Sequence, residues 1–247
     1  MKTLLVKAAK VYGALGVAAA AFFIQQALVL YFALENIIPS GLAKTVRLKH
    51  GKLILDGTRS VSLWELPIAG IGMFWGSLAG SAIIILVGYF TAGRTLSDLH
   101  FRSFSWRVMF PWVLAYAALT IITTVLENYF PAFKSESMTT MIQASRNDPV
   151  LAIVGIGLAV PFFEEIVFRG WLFKRMELTF GPIAAVLSTS VLFTLIHIQY
   201  NGAILSVLFL VALILGMMRS RTGSIWPSII IHCLNNTIAT LMAFSQM

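Results

Sequence analysis

Long apolar runs separated by short polar segments dominate this chain. A membrane-crossing helix needs about 20 apolar residues, because each residue rises about 1.5 Å and the hydrocarbon layer is about 30 Å thick. The runs predict seven such helices, and the polar segments between them set the predicted boundaries. They cover residues 11–34, 68–92, 108–130, 150–173, 182–199, 202–218 and 225–245. The expected fold class is therefore an all-α, polytopic membrane helix bundle with a polar cavity inside it.

The longest polar segment, residues 38–67, separates the first two runs. Within it, Asp56 and Gly57 form a turn signal between alternating apolar and polar residues, a pattern typical of a β-hairpin over residues 52–64. We expect an ordered exterior loop here, and a functional lid is the alternative. The domain division expected is 1–130 for the N-terminal spans with this loop and 131–247 for the catalytic core, both within one membrane domain.

Two further segments carry weaker patterns. Gly72, Gly76 and Gly80 recur every four residues, which predicts a small-residue stripe where helices pack closely. The Ser135–Asp148 segment is compatible with a short amphipathic helix on the membrane surface, although a plain connector is the simpler interpretation.

The composition also indicates an integral membrane protein and narrows the kinds of molecule that it is expected to bind. The chain is 58% hydrophobic and 11% charged, whereas a soluble domain carries about 25% charge. The net charge of +8 fits loop Lys and Arg facing anionic headgroups, so we expect the lipid bilayer and not nucleic acid as a partner. The lone Cys233 excludes an intrachain disulfide framework. No sequence pattern assigns an oligomeric state.

The basic residues also indicate an orientation. With the N-terminus in the cytoplasm, ten Lys and Arg fall on the inner side and seven on the outer side. The first apolar run exceeds the 7–15 residues of a signal-peptide core, so we expect it to stay as an uncleaved span. The short, loop-poor chain indicates a bacterial cytoplasmic (inner) membrane.

The fourth predicted span carries three charged residues. Each charge at the bilayer centre costs about 2.5–3.5 kcal/mol on insertion scales, so these side chains need partners or a function. Glu165 and Arg169 lie four residues apart on one helix face and are expected to pair. Glu164 is rotated about 100° from Glu165 and has no intrahelical cation. We therefore expect Glu164 to face a polar cavity.

Later spans supply polar side chains that could meet Glu164. His232 and Asn236 share one helix face, and His197 shares a face with Phe193. Counting 1.5 Å per residue places Glu164, His232 and Asn236 at similar depths of about 12–18 Å. The same count places His197 at about 24 Å, too far unless the fifth helix is tilted or begins deeper.

This set of side chains suits hydrolysis. A desolvated Glu164 carboxylate and a histidine could hold a water and act as a general base. A second histidine and the Asn236 amide could donate hydrogen bonds to a developing oxyanion. Pro161 removes a helix hydrogen bond and could kink the span. The plainer alternative is that His232 and Asn236 only join helices. A thiol nucleophile at Cys233 is disfavoured because helix neighbours point about 100° apart.

The order and spacing of these residues resemble a known family. The chain carries Glu164-Glu165-x-x-x-Arg169 followed by Gly170-Trp171, then Phe193-x-x-x-His197, then His232-x-x-x-Asn236. These are similar to the three motifs of the CAAX protease and bacteriocin-processing family, also called the Abi family, which includes the type II CAAX prenyl endopeptidases. The resemblance covers roughly residues 130–245.

The resemblance implies an intramembrane endopeptidase with an all-helical fold. It implies that Glu164 and His197 activate a water and that His232 and Asn236 form the oxyanion hole. Glu165 and Arg169, with Phe193, would support the site. Family members are often called metalloproteases, and Glu164, His197 and His232 could form a three-ligand zinc site with an open position. A glutamate mechanism that requires no cofactor is favoured.

Two other function classes stay open on the sequence. One is a non-catalytic membrane scaffold or bacteriocin self-immunity protein of the same family. The other is a proton-coupled transporter, since buried Glu and His also serve as proton relays; the lack of an internal repeat argues against it. For an endopeptidase, the substrate would be a peptide or membrane protein. A prenylated CAAX peptide, a bacteriocin leader, a peptide pheromone and a membrane-protein tail all fit.

Overall fold

The chain is nearly all helical. A computed structural model describes residues 2–37, 44–49, 52–62, 69–91, 96–134, 142, 145 and 148–245. Over these residues the helices are α1 (Lys2–Ile37), α2 (Ala69–Thr91), α3 (Trp106–Tyr129), α4 (Pro149–Phe180), α5 (Pro182–Leu195), α6 (Gly202–Thr222) and α7 (Trp226–Ser245). Two short 3-10 turns, Ser97–Leu99 and Pro131–Phe133, precede and follow α3.

The membrane class and fold class predicted from the sequence are confirmed. Six of the described helices are long and apolar enough to cross a membrane, and the chain is an integral membrane protein with an all-α bundle. The predicted fifth span, residues 182–199, is wrong at its end, because α5 stops at Leu195 after 14 residues. Its length of about 21 Å is shorter than the hydrocarbon layer. Residues 196–200 form turns instead.

The chain divides into two compact units, which are described separately. The first comprises Met1–Ala20, Ser81–Ser135 and Glu164–His232, and the second comprises Ala21–Gly80, Glu136–Phe163 and Cys233–Met247. In the first unit, one apolar cluster joins α1, α4 and α5 through Val11, Phe173 and Val186. Another joins α3, α6 and α7 through residues that include Tyr116 and Leu215.

The predicted glycine stripe is confirmed in the second unit. A Cβ built on Gly72 would stand 2.8 Å from the Cα of Val29, and one built on Gly76 would stand 2.7 Å from the backbone oxygen of Gln25. The Gln25 side chain also donates a 3.1 Å hydrogen bond to Ser77. Small residues on α2 therefore allow direct contact with the backbone of α1, as such stripes do in membrane helix pairs.

The predicted hairpin is also confirmed, and the structure adds a strand. Three antiparallel strands, β1 (Val46–Lys49), β2 (Lys52–Leu55) and β3 (Arg59–Ser62), form one sheet in that order. Asp56 and Gly57 adopt φ angles of 49° and 80°, as a tight hairpin turn requires. Backbone N–H donation from Thr45, together with Lys44, lowers the pKa of Asp56. The sequence did not indicate β1. The segment expected to be amphipathic, 135–148, lies largely outside the described residues.

The turn before α3 packs on the α6–α7 connection of the first unit. His100 has a left-handed φ of 57°, and its Nδ1–H donates to the Gly223 carbonyl over 3.2 Å. The Ile225 N–H donates back to the His100 carbonyl, and the Ser224 hydroxyl donates to the Arg102 carbonyl over 2.6 Å. Burial, together with the nearby Arg219 charge, lowers the pKa of His100 to about 4.

Replacing Gly76 by Ala should destabilise the second unit. The new Cβ would collide with Gln25 backbone atoms, which cannot rotate away, so the free energy of unfolding should fall by about 1–3 kcal/mol. Thermal unfolding of the detergent-solubilised protein measures this change. Gly13→Ala is the control, because a Cβ on Gly13 meets nothing within 4 Å and Ala favours helix. Equal melting temperatures for both variants would contradict the close packing.

The stability of the protein should fall as the pH drops from about 6.5 to about 4. In this window the unfolded chain protonates His100 at its ordinary pKa of 6.5, whereas the folded chain does not until about pH 4. The unfolded state therefore binds more protons, and unfolding becomes easier. The variant His100→Asn is the comparison, because asparagine also tolerates the left-handed φ angle of residue 100. Its melting temperature should change less steeply over this window; parallel profiles for the two proteins would refute the assignment.

Candidate active site

The candidate site is built on an irregular stretch of α4. Its hydrogen-bond ladder is π-helical over Ile153–Ala159 and again over Ile166–Leu172, with an α-helical turn, Val160–Glu165, between them. The Val160 N–H donates to the Gly155 carbonyl, five residues back. Pro161 follows directly, and it has no N–H to donate. Such π-helical turns are frequent at functional sites, and Glu164 lies in the α-helical turn between these two.

The predicted ion pair of Glu165 and Arg169 is present and fully buried. Arg169 Nη1 lies 3.1 Å from Glu165 Oε1, and both side chains have no solvent exposure. Arg169 Nη2 donates to the Ala212 carbonyl of α6 over 3.0 Å, and the guanidinium lies 4.9 Å from the ring centre of Phe193. The guanidinium therefore connects α4 to α5 and α6.

Glu165 has a second partner that the sequence did not indicate. His232 Nδ1 lies 2.9 Å from the same oxygen, Glu165 Oε1. A carboxylate paired with Arg169 can only accept hydrogen bonds, so His232 carries a proton on Nδ1. The Nε2 atom of His232 then points away from Glu165 and lies 3.8 Å from Glu164 Oε2.

His197 reaches the same carboxylate from α5. It lies in the turn after the helix, and its Nδ1–H donates to the Phe193 carbonyl over 2.8 Å. Its Nε2 atom lies 3.9 Å from Glu164 Oε1. The predicted depth mismatch of His197 is therefore wrong. That count rested on a regular helix through residue 199, whereas α5 ends at Leu195.

Glu164 thus lies between two imidazole Nε2 atoms. The separations of 3.8 and 3.9 Å are too long for direct hydrogen bonds. They suit an intervening small polar group, because a water placed about 2.8 Å from both Glu164 Oε1 and His197 Nε2 would satisfy each of them. Glu164 is only 7% exposed, so this carboxylate is removed from bulk solvent.

Phe193 holds the two imidazoles and the guanidinium in place. Its ring centre lies 4.8 Å from that of His197 and 5.9 Å from that of His232. Phe168 packs edge-on against it at 5.3 Å. Tyr200 stacks on His197, with ring centres 6.1 Å apart and planes 15° apart. The stacked tyrosine is an addition that sequence spacing alone did not single out.

Asn236 belongs to the second unit. It follows His232 by four residues in α7, and its amide nitrogen donates to the Ile156 carbonyl over 3.5 Å. Asn235 donates to the Asn236 side-chain oxygen over 3.2 Å. The predicted partnership of Asn236 with His232 toward a substrate stays a prediction.

The side chains at this site include donors of the kind that bind metal ions. Among the described residues, no three His, Cys, Asp or Glu side chains form a group that could hold one as they stand. The donor types at Glu164, His197 and His232 nonetheless suit zinc. Both imidazoles also have Nδ1 anchored by an acceptor, as metal-bound histidines do. The distances from the Glu164 oxygens to the Nε2 atoms of His197 and His232 are 3.8–3.9 Å. They exceed the roughly 3.4 Å that separates two ligand atoms bound to one tetrahedral zinc ion.

Removing the guanidinium should destabilise the first unit strongly. Arg169→Met leaves the Glu165 carboxylate buried without its cation, which typically costs about 3–5 kcal/mol. Lys174→Met is the control on the same helix: its 3.9 Å pair with Glu177 is partly exposed and should contribute at most about 1 kcal/mol. Thermal unfolding in detergent compares the two variants. Comparable losses would show that the Arg169 pair does not stabilise the fold.

Part of the second half of the chain is similar to a known protein family. Residues 146–238 match the family model described as type II CAAX prenyl endopeptidase Rce1-like. An uncharacterized 24.3 kDa protein of Escherichia coli is 29% identical over 136 residues, which cover 53% of this chain and 63% of that protein. No solved structure matches significantly. Residues 146–238 are therefore similar to the Rce1-like type II CAAX prenyl endopeptidases, in agreement with the resemblance expected from the three motifs.

Proposed function

We propose that this protein is an intramembrane endopeptidase in which Glu164 and His197 activate a water for attack on a peptide bond. The observation that carries the proposal is the position of the buried Glu164 carboxylate between the Nε2 atoms of His197 and His232. The family match supplies the class of reaction, because CAAX prenyl endopeptidases hydrolyse peptide bonds.

In the first step Glu164 and His197 hold the attacking water together. With Nδ1–H donated to the Phe193 carbonyl, a neutral His197 presents an unprotonated Nε2 toward Glu164. The water donates one hydrogen bond to this nitrogen and one to the carboxylate. Glu164 takes the proton as the water oxygen attacks the peptide carbonyl carbon, and it later returns that proton to the leaving amine.

His232 then stabilises the negative charge that develops on the carbonyl oxygen of the peptide bond during this attack. Because its Nδ1–H is already donated to Glu165, His232 can donate from Nε2 only when it carries both ring protons. The oxyanion role therefore requires the imidazolium, with positive charge beside the developing anion. Asn236, one helical turn further along α7, would supply a second, neutral donor.

Glu165, Arg169 and Phe193 act as positioning residues. Glu165 fixes the ring orientation of His232, and Arg169 neutralises Glu165 and anchors it to α6. The Phe193 carbonyl fixes the proton position of His197, while its ring packs against both histidines and the guanidinium. Preorganised partners of this kind spare the site the cost of reorganising during the reaction.

A metal-dependent version of the site uses the same residues. Glu164, His197 and His232 would hold zinc, which would supply an activated water near neutral pH. We favour the cofactor-free mechanism because the three donors stand further apart than ligands of one ion.

The substrate we propose is a peptide or membrane protein that reaches the site within the bilayer. The name of the matching family makes a prenylated CAAX peptide the first substrate to test, with unprenylated peptides as the comparison. The match to an Escherichia coli protein favours a bacterial inner membrane. We propose that the N-terminus faces the cytoplasm, from the distribution of basic residues.

Glu164→Gln should abolish hydrolysis while leaving the fold intact. The amide keeps the shape of the side chain but cannot accept the water's proton, so turnover should fall by about 10²–10⁴-fold. Cleavage of quenched fluorescent peptides, prenylated and unprenylated, by the purified full chain in detergent gives the rate. Glu177→Gln, a partly exposed carboxylate on the same helix, is the matched control and should cleave normally.

Turnover by Glu164→Gln at the wild-type rate would refute the mechanism. If a cellular phenotype of a deletion were rescued equally by Glu164→Gln and His197→Ala, a non-catalytic scaffold or immunity function would replace the proposed enzyme. Solute flux in proteoliposomes without peptide hydrolysis would instead support a transporter.

Removing metals should leave turnover unchanged. Dialysis of the purified protein against a strong chelator, followed by the same peptide assay, tests the cofactor-free mechanism directly. Elemental analysis before and after dialysis is the control, since it verifies that any zinc was removed. Loss of turnover on dialysis, with recovery on addition of zinc but not magnesium, would assign Glu164, His197 and His232 to a zinc site.

A further inference from the structure

One face of the three-stranded sheet is strongly basic. Residues directly opposite each other on paired strands point to the same side, and the register pairs Lys49 with Lys52 and Arg47 with Ile54. Ile54 in turn pairs with Ser60. Arg47, Lys49 and Lys52 therefore project from one face, and all three are exposed. We call this group of three cations the basic face.

The burial of the other face of the sheet shows that the basic face points outward. Leu53 is fully buried, and Leu55 and Val61 are almost fully buried. These three residues alternate along their strands with residues of the basic face, so they point to the opposite side of the sheet. Arg59 pairs with Leu55 and thus belongs to this second face, at the exposed edge of the sheet. The apolar side packs inward, so the basic face is turned to its surroundings.

The basic face lacks an anion within the described part of the chain. Lys49 and Lys52 stand directly opposite each other, an arrangement that destabilises a sheet unless a counter-ion lies between them. No described carboxylate forms an ion pair with Arg47, Lys49 or Lys52. The nearest acid in sequence, Asp56, accepts hydrogen bonds from the backbone of Lys44 and Thr45 instead.

The sheet is tethered to a candidate membrane span by a short connection. It is joined to α2 by residues 63–68, and the span of α2 begins at Gly70. Even fully extended, that connection reaches only about 25 Å from the end of β3 to the start of α2. The cations thus stay within reach of a layer of lipid headgroups, which offers many phosphates at once and suits charges spread over a face.

We propose that the basic face binds the phosphate groups of anionic phospholipids and thereby holds the sheet on the bilayer. A membrane surface, rather than an acidic polypeptide, is favoured because the short connection keeps lipid headgroups within reach of the sheet whatever other partner is present. This binding does not depend on the orientation of the chain or on its catalytic activity.

Lysine labelling in proteoliposomes tests the proposal on the unaltered protein. The full chain is reconstituted in phosphatidylcholine, with or without phosphatidylglycerol, and treated with a water-soluble amine-reactive reagent. Mass spectrometry then gives the labelling rates. Phosphatidylglycerol should slow the modification of Lys49 and Lys52 about fivefold, as expected for lysines held at an anionic surface, and high salt should remove this protection. Exposed Lys134, in another loop, is the internal reference.

Two variants distinguish lipid binding by the basic face from a general effect of positive charge. Native mass spectrometry should show that R47Q/K49Q/K52Q loses the preference of wild type for retained phosphatidylglycerol over phosphatidylcholine. The control R59Q, on the opposite face, should keep it. Equal labelling in the two lipids, or unchanged lipid retention by the triple variant, would overturn the proposal. Protection of Lys49 and Lys52 by soluble polyglutamate but not by phosphatidylglycerol would assign the face to an acidic polypeptide instead.

Discussion

A buried charge in a membrane helix is the constraint on which the candidate site depends. Arg169 and Glu165 cannot be solvated at their position, and each is stable there only through the other and through further hydrogen bonds. Glu165 Oε1 meets this requirement by accepting from both Arg169 and His232. Arg169 meets it by donating to Ala212 and by lying over Phe193. One ion pair thereby links segments of α4, α5, α6 and α7.

The same constraint determines the proton positions on which the proposed chemistry relies. Each histidine gives its Nδ1–H to a fixed acceptor, the Phe193 carbonyl for His197 and the Glu165 carboxylate for His232. Both Nε2 atoms consequently face Glu164, although the two acceptors differ in charge. His197 donates to a neutral carbonyl, whereas His232 donates to a carboxylate that also accepts from Arg169. Two identical side chains thus acquire opposite proposed roles from their outer partners.

Helix periodicity predicted what lies within one helix and little of what lies between helices. The four-residue spacing predicted the Glu165–Arg169 pair and the close approach of Gly72 and Gly76. It could not predict the contact of Glu165 with His232, because residues 67 positions apart share no local geometry. The available signal was weaker: a buried carboxylate can accept several hydrogen bonds, so a further donor beside Arg169 was possible, but its identity was not indicated.

The boundary of α5 shows where apolar sequence misleads. Ile196 and Ile198 extend the hydrophobic run, so hydropathy continues the helix past the point where the backbone turns. That turn is what brings His197 to Glu164, since a regular helix would carry the imidazole further from it. A different limit hid β1: its Val46 and Leu48 alternate with Arg47 and Lys49, but four residues are too short a run to predict a strand by themselves. In both places polar side chains mark a backbone path that hydropathy misses: His197 turns toward the buried Glu164 carboxylate, and Arg47 and Lys49 of β1 stay exposed, where their charges remain solvated.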